Sequence, residues 1–219
     1  MNLANIRPYQ PEDRPEVERI CVETGLGGKL DEYFCDRELF VKLWLAPYLD
    51  VCPEHCRVAI SEGKVVGYLV ATFDPDWTPK AAKSLIPWVA KLVGRWLTGK
   101  YRHHKPTNQF VKWFLTKSWR ELPKSPKNSC QFHFNVDPNF QGSDLGIQLG
   151  RHFVLEAKSR GMKEWYCVVI TGPGKKSRKF YERLGFVIND SKPFALFGDG
   201  AEVLCCVKQL GPESTSLLD

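Results

Sequence analysis

Apolar positions along this chain recur either at every second residue or at every third to fourth, and the changes between the two spacings mark out the elements. Asn5-Ile6-Arg7-Pro8-Tyr9 predicts a short strand, after which Pro11-Glu12-Asp13 supplies the proline and acids favoured in the first turn of a helix. Val17, Ile20 and Cys21 share one face of that helix, and Gly25 stops it. Helical spacing returns from about Asp31 to Leu49 through Phe34, Leu39, Leu43 and Leu45, with Pro47 near the end. Arg57-Val58-Ala59-Ile60 and the run Val65 to Ala71 are β-rich and separated by Ser-Glu-Gly-Lys, which predicts a hairpin.

Two amphipathic helices are expected next. Leu85, Ile86, Val89, Leu92, Val93, Trp96 and Leu97 recur at helical spacing with Lys91 and Arg95 opposite them. A second stretch, from about Asn108 to Leu122, carries Phe110, Val111, Phe114 and Leu115 with Lys112, Lys117 and Arg120. The pattern predicts apolar faces packed on the main domain and basic faces in solvent, the alternative being a lid or docking surface for an anionic partner, membrane interface included. Residues Cys130 to Val136 alternate, with Cys130, Phe132, Phe134 and Val136 on one side and Gln131, His133 and Asn135 on the other, giving a strand with one polar face. Asp137-Pro138-Asn139-Phe140-Gln141-Gly142 then turns into a helix from about Ser143 to Ser159, striped by Leu145, Leu149, Phe153 and Ala157 and ended by Gly161. A strand over 165–170, a short helix from Lys175 to Leu184 and strands near 186–188 and 203–207 complete the order, and residues 211–219 read as a frayed tail.

Charge adds a feature that hydropathy does not show. The 219 residues carry +6, yet residues 76–127 hold twelve Lys or Arg against Asp76 and Glu121, a local +10 that leaves −4 for the remainder. Five of the seven tryptophans lie there too, so residues 75–128 read as a basic, aromatic, helical insert within a single domain over 1–210. No apolar run approaches the roughly 18 residues of a membrane span, and the first residues lack the apolar centre of a secretory signal. The eight cysteines are therefore expected to be reduced thiols of a cytoplasmic protein. Cys52-Pro53-Glu54-His55-Cys56 offers three ligand types within five residues, but no second ligand pair stands at zinc-site spacing, and no metal is expected.

A strand, a glycine-containing turn and a helix together bind phosphate, because free backbone N–H groups and the positive end of the helix dipole converge there. Gln141-Gly142-Ser143-Asp144-Leu145-Gly146 occupies that position. The stretch Asn135 to Gly146, followed later by Ser177-Arg178-Lys179-Phe180-Tyr181-Glu182-Arg183-Leu184-Gly185-Phe186, closely resembles the two signature segments of the GCN5-related N-acetyltransferases, the GNAT family. Its most specific pieces are Val-x-Pro before the turn and Phe-Tyr-x-x-x-Gly-Phe near the C-terminus, and the likeness in element order covers almost all of the chain except 75–128. It implies an α/β GNAT fold: a mixed, mostly antiparallel sheet flanked by helices, split near the strands of Val136 and Val168, and widened by the helical insert. The His-x-Asn pattern of His133 and Asn135 also looks like the His-x-Asp version in the acetyltransferase-like domain of eukaryotic O-GlcNAc hydrolases.

The resemblance assigns roles residue by residue. Backbone N–H groups from Gly142 through Ser143, Asp144 and Leu145 to Gly146, entered from Gln141, would cradle the pyrophosphate of acetyl-CoA. Asp144 stands where the family has its middle glycine, and a carboxylate there repels phosphate unless it points to solvent. Phe134 and Val136 would flank the pantetheine arm, with the Val136 N–H polarising the thioester carbonyl. Tyr181 matches the tyrosine that protonates the departing thiolate. Gly174 and Ser177 replace the family's usual Asn and Ala; Ser177 remains a cofactor-side position, and Lys175, Lys176, Arg178 and Lys179 are placed to supply charge for phosphates. On the residues themselves, His133 is the best base for an ammonium whose pKa is about 10.4, with Gln131 and Asn135 beside it toward the acceptor.

The expected activity is N-acetyl transfer from acetyl-CoA to a small-molecule or peptide primary amine, by direct attack in a ternary complex. Two other classes stay open: a non-catalytic acyl-CoA-binding module, and a nucleic-acid or acidic-partner binder acting through the insert. Oligomeric state is not legible.

Overall fold

The run from Val65 to Ala71 is apolar on both sides, and it becomes a strand covered on both faces. In the computed structural model, which describes residues 5–74, 76–126, 129–172, 177–183, 185–194, 196, 198–211 and 213, the chain runs β1 (Asn5–Pro8), α1 (Arg14–Gly28), α2 (Leu30–Tyr33), α3 (Arg37–Trp44), α4 (Ala46–Val51), β2 (Arg57–Ser61) and β3 (Lys64–Thr72). It continues through α5 (Trp77–Leu97), α6 (Lys105–Thr116), α7 (Ser118–Glu121), β4 (Cys130–Val136), α8 (Leu145–Ser159), β5 (Glu164–Thr171), α9 (Ser177–Arg183), β6 (Val187–Pro193) and β7 (Glu202–Gln209).

The strands form one seven-stranded sheet in the order β1-β2-β3-β4-β5-β7-β6. Every neighbouring pair is antiparallel except β4 and β5. That parallel pair is held only at Cys130 with Trp165 and Gln131 with Tyr166, so the two strands separate beyond Gln131. Strand alternation divides the core between the two faces. Val58, Tyr68 and Val70 pack under the helices before β4, while Leu69, Ala71, Phe132 and Trp165 pack under α8, whose Leu149, Phe153 and Ala157 are buried. Each large side chain removed from water there contributes about 1.5–3 kcal/mol.

Three expectations change. The helix read over 31–49 is three helices, because Asp36 caps α3 by accepting from Leu39 N–H at 3.3 Å, and Pro47 sits in the first turn of α4, where proline starts a helix. The second insert helix starts earlier, at Lys105, where the His104 side chain accepts from Thr107 N–H, and it breaks before Ser118. The expected outward basic face of α5 is reversed at Arg95, while Lys91 stays exposed. Arg95 binds both carboxylate oxygens of Asp36 at 2.8 Å and also Glu38, and Lys91 binds Glu38, while Ile86 and Leu97 are 63% and 72% exposed. Buried Asp36, with exposed Glu38 beside it, draws the guanidinium inward, which a single-helix hydropathy pattern cannot register. In α6 Phe110 and Val111 of the expected apolar face pack, joined by Trp113, whereas Phe114 is half-buried and Leu115 is exposed. No helix among the described residues is long and apolar enough to cross a membrane.

Candidate active site

The separation of β4 from β5 opens a wedge in the middle of the sheet. Asp137 N–H bonds back to Val66 O at 2.9 Å on the β3 side. Because successive strand N–H groups alternate in direction, those of Val136 and Phe134 turn toward the wedge. Above it, the chain leaves β4 through the Gln141–Asp144 turn and enters α8 at Leu145. The first bond into this helix is Gln148 N–H to Asp144 O at 2.9 Å, so the N–H groups of Gly146 and Ile147 precede the helical ladder.

The two glycines serve different purposes. Gly142 has φ of +82°, which a side chain rarely allows. Gly146 lies so close to β4 that an added Cβ would meet the Phe134 ring at 3.0 Å. Asp144 adopts φ −73° and ψ 6°, open to any residue, so the absent middle glycine costs no geometry here. Its side chain is exposed and makes no cap, the orientation in which a carboxylate least opposes a phosphate at the turn. Gln141 and Ser143 are also exposed, and Ser143 Oγ donates to Phe140 O at 2.6 Å. Below the turn, buried Asp137 accepts from Arg19 at 2.7 Å and from Asn139 N–H at 2.9 Å. Burial alone would raise its pKa, but these donors hold it below the ordinary value.

Gln131, His133 and Asn135 do share one strand face. The Asn135 amide donates to Tyr68 Oη at 2.7 Å and to His133 Nε2 at 3.2 Å, an arrangement of neutral imidazole with its proton on Nδ1. Tyr68, opposite Asn135 in register and buried, is bonded in turn to Cys21. Gln131 Oε1 accepts from Tyr166 at 3.1 Å. His133 is exposed on this face, yet the protein around its ring lowers its pKa to about 4 by desolvation.

Tyr181 projects from α9 on the other side of the wedge, its ring edge-on to Phe186 at 5.2 Å. Its hydroxyl donates to the Cys167 thiol on β5, and burial with that thiol raises its pKa well above the usual 10. Cys167 faces Cys206 across β5 and β7. Ser177 opens α9, but its side chain lies outside the described residues, as do Gly174, Lys175 and Lys176. Tyr68, Cys167 and Tyr166 have no motif of their own; register places them at the site.

Cys52 and Cys56 donate to backbone carbonyls at 3.3 and 3.7 Å, with thiol pKa values pushed up by burial. Among the described residues no three metal-ligating side chains gather. A recess lined by Asp13, Glu16, Arg19, Lys64, Asp137 and Asn139 includes none of the predicted site residues; the opened sheet, not the size of a recess, marks the site.

No family model and no curated protein is matched by this sequence. Solved structures do match. SsHAT superimposes with a TM-score of 0.59 at 22% identity, over 95% of this chain and 99% of that one. Ard1 from Thermoplasma volcanium gives 0.55 at 18% identity, over 95% and 99%. A GNAT superfamily phosphinothricin acetyltransferase from Sinorhizobium meliloti, solved in complex with acetyl-CoA, gives 0.54 at 15% identity, over 95% and 89%. The chain has the GNAT fold. Within the GNAT fold β4 and β5 separate beside the turn into α8, and Tyr181 of α9 packs on Cys167 of β5.

Proposed function

We propose that the protein is an N-acetyltransferase that uses acetyl-CoA and acylates a primary amine by direct attack in a ternary complex. The observation that supports this reading is the wedge itself, opened where β4 and β5 part, with the N-terminus of α8 beside it, His133 on β4 and Tyr181 against β5. Acetyl-CoA supplies an activated thioester. The N–H groups from Gly142 to Gly146 lie at the positive end of the α8 dipole and suit its pyrophosphate, with those of Ser143 and Leu145 having to leave their bonds to Phe140 O and Ser143 Oγ. Phe134 and Val136 line the path of the pantetheine, and the Val136 N–H polarises the carbonyl oxygen as negative charge develops there. His133, or a water beside it, takes the proton of the ammonium, which as a charged donor competes well with the neutral Asn135 amide for Nε2. Gln131 and Asn135 hold the acceptor side. Tyr181 gives its proton to the leaving sulfur.

Calorimetric titration with acetyl-CoA and with CoA tests the cofactor side on wild type, Asp144→Gly and Gly146→Glu. Micromolar binding by wild type, abolished by Gly146→Glu, is expected. An amine screen then follows, in which Tyr181→Phe lowers kcat by about 100-fold and leaves acetyl-CoA affinity unchanged. Absence of binding by both wild type and Asp144→Gly would sink the proposal, and binding without turnover over a broad amine panel would favour a non-catalytic acyl-CoA module.

A further inference from the structure

Helix α5 has two apolar faces, and only one of them meets the protein. Trp77, Ala81 and Leu92 are buried toward α3 and α4, on the same side as Arg95 with its bonds to Asp36. On the opposite side, at 100° per residue, Ile86, Ala90, Val93 and Leu97 fall within a sector of about 60° and extend about 16 Å along the axis. Ile86 is 63% and Leu97 72% exposed, Ala90 is exposed, and Val93 is half-buried. Nothing in the described residues covers this stripe.

Its surroundings are basic. Between Trp77 and Arg120 the sequence has no acidic residue. Exposed Lys83 flanks the stripe, and exposed Lys100, Arg102 and Lys105 follow directly after Leu97. Lys83, Arg102 and Lys105 make no ion pair with any described residue. Next to it, tied by Trp96 Nε1 to Asn108 Oδ1 at 2.9 Å, α6 exposes Lys105, Gln109, Lys112 and Thr116 along one line.

We propose that this face docks on an anionic lipid surface, with Ile86, Val93 and Leu97 entering the boundary between headgroups and acyl chains and the lysines and arginines meeting the headgroups. The chemistry selects this occupant. A second copy presenting the same face brings like charges together. A single-stranded nucleic acid is held by rings on which bases stack, and a duplex by phosphate contacts that give an aliphatic stripe no role; the stripe has no ring, since Trp88 meets the ammonium groups of Lys42 and Lys91 and Trp96 is held by Asn108. An aliphatic stripe bordered by lysine and arginine is the composition of a helix lying in a membrane interface. This inference stands apart from the acetyl-transfer reading, since it uses none of the residues around the wedge.

Flotation of the full chain with phosphatidylcholine vesicles, with and without phosphatidylserine, tests it. Flotation is expected only with phosphatidylserine and weakens as salt is raised. Ile86→Ser with Leu97→Ser should lower partitioning about tenfold or more, whereas Leu97→Ile, which keeps the apolar area, retains it. Arg102→Glu with Lys105→Glu should also release the protein. Circular dichroism melts check that these exposed substitutions leave the fold intact. The proposal is overturned by failure to float with phosphatidylserine vesicles at low salt, or by equal flotation of the double serine variant. It is equally overturned if light scattering shows a dimer dissolved by the serine changes, or if RNA or an acidic peptide binds this face while vesicles do not.

Discussion

Loss of water acts at both His133 and Tyr181, and it acts on groups that ionise in opposite directions. A crowded imidazole resists becoming a cation, so its pKa falls; a buried phenol resists becoming an anion, so its pKa rises. Both side chains are thereby kept neutral near pH 7, while the same loss of water makes the imidazole a weaker base and the phenol a weaker acid, so a proton transfer through either is driven by the collapse of the thioester and not by its own pKa. The sign of the pH dependence follows. Activity that depends on neutral His133 persists as pH falls through 6.5 and is lost only lower down, toward the folded-state value of about 4. A kcat/KM profile should therefore show an acid limb below 6.5, and His133→Gln should remove that limb while lowering the plateau by about 100-fold. An unaltered limb in the variant would assign the base elsewhere. The motif residues were legible because strand alternation alone puts Gln131, His133 and Asn135 on one face. Tyr68 and Cys167 were not, since their arrival depends on the Tyr68–Asn135 register and on packing between α9 and β5, which no local spacing encodes.

Among the elements, α5 shows where periodicity stops being informative. Its sequence has apolar residues over much of its circumference, so the pattern predicts a helix but does not choose the side that packs. Asp36 decides it. This carboxylate is buried and gathers Arg95, the Tyr101 hydroxyl at 2.6 Å and the Leu39 N–H, fixing α5 on the N-terminus of α3. Arg95→Ala leaves that charge buried with two neutral donors and only the Lys100 ammonium, 3.8 Å away, and should cost about 2–4 kcal/mol in urea unfolding; a loss below 0.5 would mean that the ion pair is incidental. The same reasoning explains Pro47. Its sequence signal is a helix boundary, and whether it closes one helix or opens the next depends on Leu45 and Ala46 already being buried against the sheet. In contrast, β4, the Gly turn and α8 were read almost to the residue, because each local preference there agrees with the tertiary arrangement.

The whole molecule consists of two half-sheets, β1 to β4 and β5 to β7, joined directly by two residue pairs. Amide exchange should report this. The N–H groups of Phe134 and Val136, turned to the wedge, should exchange much faster than those of His133 and Asn135, which face β3, and should become protected when acetyl-CoA is added. Equal protection in the absence of the donor would mean that the halves are closed by other means. A ligand that bridges the halves also binds the folded chain and not the unfolded one, so at a hundredfold excess over its Kd it adds about 2.7 kcal/mol to stability. If that ligand is acetyl-CoA, the survival of this protein against proteolysis in a cell would follow the supply of activated acetyl groups, and its abundance would serve as a slow record of carbon status.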